Sequence, residues 1–149
     1  MKTLELLTQY LDDRSTMQLA SINGDQPWIC TVRFVSDDQQ NLYWASIPSR
    51  RHSIEITKHP KVACAIVVHD VIGEPVIGIQ IEGTVAIQSP SLNNQIMAEK
   101  YAAKFKRDQQ WVDDFVAGNT EHRLYRLTPS IIYLFDEKNF PGGQRQKVQ

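Results

Sequence analysis

Apolar and polar residues alternate with a two-residue period over much of this chain. The alternation is cleanest at residues 76–88, where Ile77, Ile79, Ile81, Val85 and Ile87 share one face and Gln80, Glu82, Thr84 and Gln88 the other. That is the pattern of a strand covered on one side. Gly83 interrupts the apolar face, and a glycine near the middle of a long strand predicts the bend a small barrel needs. Strand-like runs also occur at residues 16–22 and 27–35, joined by Asn23-Gly24, the strongest short hairpin signal. In the second of these Trp28, Cys30, Val32 and Phe34 share a face, so Thr31 and Arg33 point away from the core. A polar turn at residues 37–41 leads into a third run, residues 42–46. Residues 62–68 are apolar on both faces, which predicts a central strand covered on both sides. Residues 123–136 return to strand, with Pro129 marking an edge or a bulge. Trp28 and Trp44 lie inside strands and read as core.

Helical spacing appears in three places. Thr3 is placed to cap a helix carrying Leu4, Leu7 and Leu11 on one stripe. Residues 91–106 carry Ile96, Tyr101 and Phe105 among their apolar positions, and residues 108–116 set Trp111 and Phe115 four apart. The polar tail from Asn139 is expected to be loosely held. Six strand-like runs, with helices inserted after the third and the fifth, predict a mainly β member of the α+β class: a six-stranded antiparallel split barrel with flanking helices. On strand pattern alone a sandwich fits as well.

Composition narrows the function. The 149 residues suffice for one domain, 1–149, with a real core. With 42% hydrophobic and 22% charged residues and a formal net charge of -1, the chain has no basic field for nucleic acid. No apolar run approaches membrane-spanning length, and the first fourteen residues lack a leader's apolar core, so a cytoplasmic location is expected. Cys30 and Cys64 stand inside apolar runs and read as buried thiols. His52, His59, His69 and His122 lack metal-ligand spacing, so no metal site is expected.

One segment breaks a local rule. Ser49-Arg50-Arg51-His52 follows the third strand and opens a short helical segment that stops at His59-Pro60. Three basic side chains then occupy a first helical turn, where the macrodipole favours acids. An anion bound there removes the conflict, because free N–H groups at a helix start and basic side chains together form a phosphate cradle. A solvated basic turn is the bland alternative.

Four pieces in order carry a resemblance: Pro27-Trp28 leading into Thr31-Val32-Arg33-Phe34; Leu42-Tyr43-Trp44-Ala45-Ser46 followed by the basic turn; His59-Pro60-Lys61-Val62-Ala63; and Gly78-Ile79-Gln80-Ile81-Glu82-Gly83-Thr84-Val85. Together they resemble the pyridoxamine 5'-phosphate oxidase-like FMN-binding split-barrel family, in particular its small relatives. The resemblance implies a homodimer with FMN at the twofold interface. Its phosphate would be held by Ser46, Ser49, Arg51 and His52, with Ala45 beside them. Thr31, Val32 and Arg33 would lie along the flavin ring, Gln80 would project toward the same side, and Trp111 would cover the partner's flavin. The family's glutamine falls one pleat earlier, at Gly78, and its lysine falls at His52. The oxidase's C-terminal arginine–histidine pair for the substrate phosphate has no counterpart after Asn139, which argues against true pyridoxamine-phosphate oxidase activity. The expected activity is flavin-dependent oxidoreduction with a nicotinamide as possible donor, Glu82 being a candidate for tuning or proton delivery, with a surface or interface salt bridge as the favoured alternative role. A non-catalytic flavin or haem binder is the alternative, with His69 or His122 as axial ligand for haem. Deazaflavin is a third possible cofactor.

Overall fold

The computed structural model describes residues 2–149, and the Asn23-Gly24 signal makes its hairpin there, displaced by one residue. Strand β1 (Thr16–Asn23) pairs antiparallel with β2 (Gln26–Arg33) out to Asn23 opposite Gln26, which leaves Gly24 and Asp25 as the central turn residues. Gly24 has φ +62, as a turn with glycine in its first central position requires. Thr3 caps nothing: it lies within the first helix, α1 (Lys2–Asp13), which buries Leu7 and Leu11 and leaves Leu4 exposed.

Strand β2 stops at Arg33, the chain bends at the fully buried Phe34, and β3 (Val35–Ser36) continues beyond it. There follow β4 (Leu42–Ser46), α2 (Arg51–Lys58), β5 (Lys61–His69), β6 (Ile77–Ile87), α3 (Leu92–Lys104), α4 (Gln109–Ala117), β7 (Arg123–Asp136) and β8 (Gln146–Lys147). The sheet runs β2-β1-β5-β6-β7-β4-β3, with β8 beside β7 off this path. Its two ends are therefore consecutive pieces of one run of chain, and the bend at Phe34 brings the sheet round into a split barrel. The six strands expected are seven on this path and a short eighth. The second run divides into β2 and β3, and the tail supplies β8.

Inside, Leu19, Cys64, Ile81 and Ile132 face one another across four successive strands, all buried. α1 and α2 plug opposite ends: Tyr10 of α1 reaches Asp136 at the close of β7, whereas Glu55 of α2 meets Ser21 at the close of β1. The helix pair α3–α4 lies against the outside of β3 and β4, where Val35, Tyr43, Met97, Tyr101 and Leu124 form a second apolar cluster. Gly83 does bend β6. The β6–β7 register shifts between Glu82 and Gly83, Pro129 stands opposite, and a Cβ at Gly83 would lie 2.4 Å from the Thr128 carbonyl oxygen. Pro129 thus marks a bulge rather than an edge.

Two expectations fail on the outer surface. β5 is covered on one side only: Val62, Cys64 and Ile66 are buried, but Ala63, Ala65 and Val67 are exposed. Trp28 is 40% exposed, because β2 ends the sheet and only Arg51 lies over its ring.

The tail is pinned rather than loose. Asp136, 1% exposed, accepts hydrogen bonds from Tyr10 Oη at 2.7 Å, Asn139 Nδ2 at 2.7 Å, and the backbone N–H groups of Asn139 and Lys138 at 2.9 and 3.1 Å. Burial pushes its pKa up, but these hydrogen bonds outweigh burial and hold the carboxyl below the usual carboxylate range. A depressed folded-state pKa contributes stability above the unfolded value of about 3.9, lost as pH falls through the folded value. Urea midpoints for the wild type should therefore drop as pH falls below about 4. Asp136→Asn should be less stable at pH 7 and show a shallower acid slope; equal slopes would remove Asp136 as a contributor.

Candidate functional site

Strand β4 delivers Ser46 to the barrel end plugged by α2, and the intervening turn closes with a hydrogen bond from Arg50 N–H to the Ile47 carbonyl. Arg50 is the N-cap of α2, with extended backbone and no side-chain capping hydrogen bond. The first-turn N–H groups are thus left to any ligand. No acid stands in that turn, as the sequence indicated. Ser46 Oγ and His52 Nε2 lie 2.9 Å apart. Ser53, fully buried in the same turn, has an Oγ with no partner.

Arg51 is held from two sides. Its Nε donates to Glu55 Oε1 at 3.0 Å, and its guanidinium lies 3.9 Å over the Trp28 ring. Glu55, 4% exposed, also accepts from Ser21 Oγ. The Ser21 hydrogen bond lowers the Glu55 pKa; burial opposes it, and the hydrogen bond and charge of Arg51 add to the lowering. A buried carboxylate thus fixes the arginine while leaving its terminal nitrogens free of Glu55. His52 is pushed below its ordinary value, by burial first and by Arg50 second, which favours the neutral imidazole when no ligand is bound. Neither Ser21, Glu55 nor Trp28 as a stacking partner was legible in the sequence. An i,i+4 Arg51–Glu55 spacing was the one available signal.

The other expected residues lie elsewhere. Cross-strand partners share a face, so Thr31, Gln18, Ala65, Gln80 and Tyr133 form one row across the outside of the sheet. Arg145 from the tail stacks 4.7 Å over Tyr133 and donates to Gln80 Oε1 at 3.0 Å, beside an open cavity of ≈ 390 Å³. Gly78 has no room for a glutamine, since a Cβ there would meet the Phe135 ring at 2.4 Å; Gln80 is the residue that projects. Val32 turns inward against the core, while Arg33 lies exposed over Phe105 at 5.2 Å. Ala45 packs with the α3–α4 cluster, as does Trp111, which stacks on Tyr101 at 5.6 Å and on Phe115 at 5.0 Å. The structure therefore brings Ser46 and His52 together, with Ser49 and Arg51 in the same turn. Ala45, Arg33 and Trp111 lie by the helix pair, and Thr31 and Gln80 on the outer sheet.

His69 pairs with Glu74, and burial pushes the Cys64 thiol up to about 12. Glu82 faces outward beside Ser130. Among the described residues no three histidine, cysteine, aspartate or glutamate side chains come together as a metal site, and no helix is long and apolar enough to cross a membrane.

Solved structures with this fold span nearly the whole chain. A conserved hypothetical protein, Rv2991 of Mycobacterium tuberculosis, superposes with a TM-score of 0.76 at 13% identity, covering 94% of this chain and 89% of that one. An FAD-binding protein of Mesorhizobium loti gives 0.68 at 16% identity, with 89% and 90% covered. HutZ, a haem storage protein of Vibrio cholerae, gives 0.67 at 15%, with 85% and 89% covered. No curated protein matches the chain in sequence. The family model described as pyridoxamine 5'-phosphate oxidase matches residues 4–135, a span that takes in every strand of the main sheet and the whole basic turn, and the chain therefore belongs to that family.

Proposed function

We propose that this protein binds FMN, with the flavin phosphate at the start of α2, and acts as a flavin-dependent oxidoreductase. The observation that carries the reading is the uncapped N-terminus of α2, with Arg50, Arg51 and His52 in place and Ser46 bonded to His52. A helix start with free N–H groups and no acidic neighbour in its first turn fits a phosphate monoester. Ser46, Ser49, Arg51 and His52 would hold it, and a dianion beside His52 would draw a proton onto the imidazole, opposing the burial that keeps it neutral. The bound flavin would supply hydride or electron transfer at its ring. The protein's part is to orient that ring and shield it from water.

The outer sheet supports a homodimer. Ile29 is 60% and Val67 58% exposed beside Ala63 and Ala65, an apolar surface that a second copy would cover. A flavin bound between the copies would explain why Thr31 and Gln80 stand on the outer face, away from α2.

The test is the visible spectrum of the purified protein before and after FMN, then NADH or NADPH. Flavin bands that survive desalting are expected, with bleaching by the nicotinamide. A bound but unreduced flavin would leave a carrier or sensor. A Soret band would point to haem, and no retained chromophore after FMN addition would sink the proposal.

A further inference from the structure

We propose that Arg123, on the first residue of β7, is a further cation of the phosphate site and, with Arg50, supplies its net charge. The inference rests on the FMN reading and extends it to a residue far from the basic turn in sequence. β4 and β7 pair with Ser46 directly opposite Arg123 and Trp44 opposite Tyr125. Directly opposed residues project to one face with Cβ atoms about 5 Å apart. The Trp44–Tyr125 stack shows that this face is the barrel interior; one pleat on, at the rim, it carries Ser46 and Arg123. Ser46 is the residue whose hydroxyl meets His52.

Charge balance favours a further free cation. A flavin phosphate carries close to two negative charges at pH 7. Of the three basic residues in the turn, Arg51 is already neutralised by buried Glu55, and burial holds His52 toward its neutral form. Arg50 alone remains. Among the described residues neither Arg50 nor Arg123 forms an ion pair with an acid. Arg123 is also held in place: Nη1 donates to the Thr120 and His122 carbonyls at 2.6 and 2.9 Å, while Nε and Nη2 have no protein acceptor. An arginine tied by one nitrogen to its own turn, with two further donors unused, is preorganised for an oxyanion.

The experiment compares FMN with riboflavin, which lacks the phosphate, by flavin fluorescence titration of wild type, Arg123→Gln, Arg123→Lys and Arg51→Ala. Arg123→Gln should raise the FMN Kd about tenfold, a typical loss for one charge-assisted contact at a partly exposed site, and leave riboflavin unchanged. Arg123→Lys should recover part of the loss, and all variants should keep the wild-type circular dichroism. If Arg51→Ala loses FMN selectively and Arg123→Gln does not, Arg123 is outside the site and the FMN reading stands. Equal losses of both ligands in Arg123→Gln would also overturn the assignment. Failure of the wild type to prefer FMN over riboflavin would overturn the phosphate reading itself, and this inference with it.

Discussion

Arg51→Ala is expected to weaken FMN binding about 10- to 100-fold, with riboflavin binding nearly unchanged, since removing a charge-assisted donor costs about 1.5–3 kcal/mol and each 1.4 kcal/mol is about tenfold. The side chain does two things at once. It stacks on Trp28 and bonds Glu55 through Nε, which leaves its terminal nitrogens free of Glu55. Arg51→Lys preserves the charge but not the fork or the planar stack, so it should recover only part of the affinity. Arg51→Ala also leaves Glu55 buried with Ser21 as its one hydrogen-bond donor, and a modest loss of thermal stability should accompany it. Ligand titration of both variants checks the claim. A loss of riboflavin as large as that of FMN would show that Arg51 shapes the fold and does not grip the phosphate.

For Trp44→Ala the expected result is a loss of about 3–5 kcal/mol of stability, read as a lower urea midpoint at unchanged m-value. Trp44 is fully buried, stacked on Tyr125 with ring centroids 5.7 Å apart and planes at 12°, and an alanine there would leave a ring-sized cavity. Its Nε1 has no protein partner, so Trp44→Phe should cost much less than Trp44→Ala. Trp28→Ala supplies the contrast. At 40% exposure it should forfeit about 0.5–1 kcal/mol for the arginine contact plus part of its apolar burial. Similar midpoints for the two alanine variants would contradict the placement of Trp44 at the centre of the core.

Those two tryptophans illustrate how far a linear reading reaches. Both lie in alternating strand segments, and nothing local separates them. β4 is flanked by β7 and β3, whereas β2 ends the sheet, and only pairing order reveals that. The same limit applies to residues 62–68. An all-apolar run suggests a strand covered on both sides, yet Ala63, Ala65 and Val67 face outward, and the protein's own helices cover β3 and β4 instead.

Local chemistry determined a good deal. Alternation located β6 and placed β7 at its observed ends; Gly83 and Pro129 announced the bulge; and a first helical turn with the wrong charge marked out the uncapped start of α2. Each is a property of neighbouring residues, because side-chain periodicity, φ preference and the helix dipole act within a few positions along the chain. Long-range pairing decided the rest. It divided one predicted run into β2 and β3, turned part of a polar tail into β8 paired with β7, and set Ser21, Glu55 and Arg123 beside a turn from which they are far in sequence or hidden by burial. The physical reason is that a strand's partner, its register and the face it finally exposes are set by the minimum-energy packing of the whole sheet, and no short window of sequence contains that information.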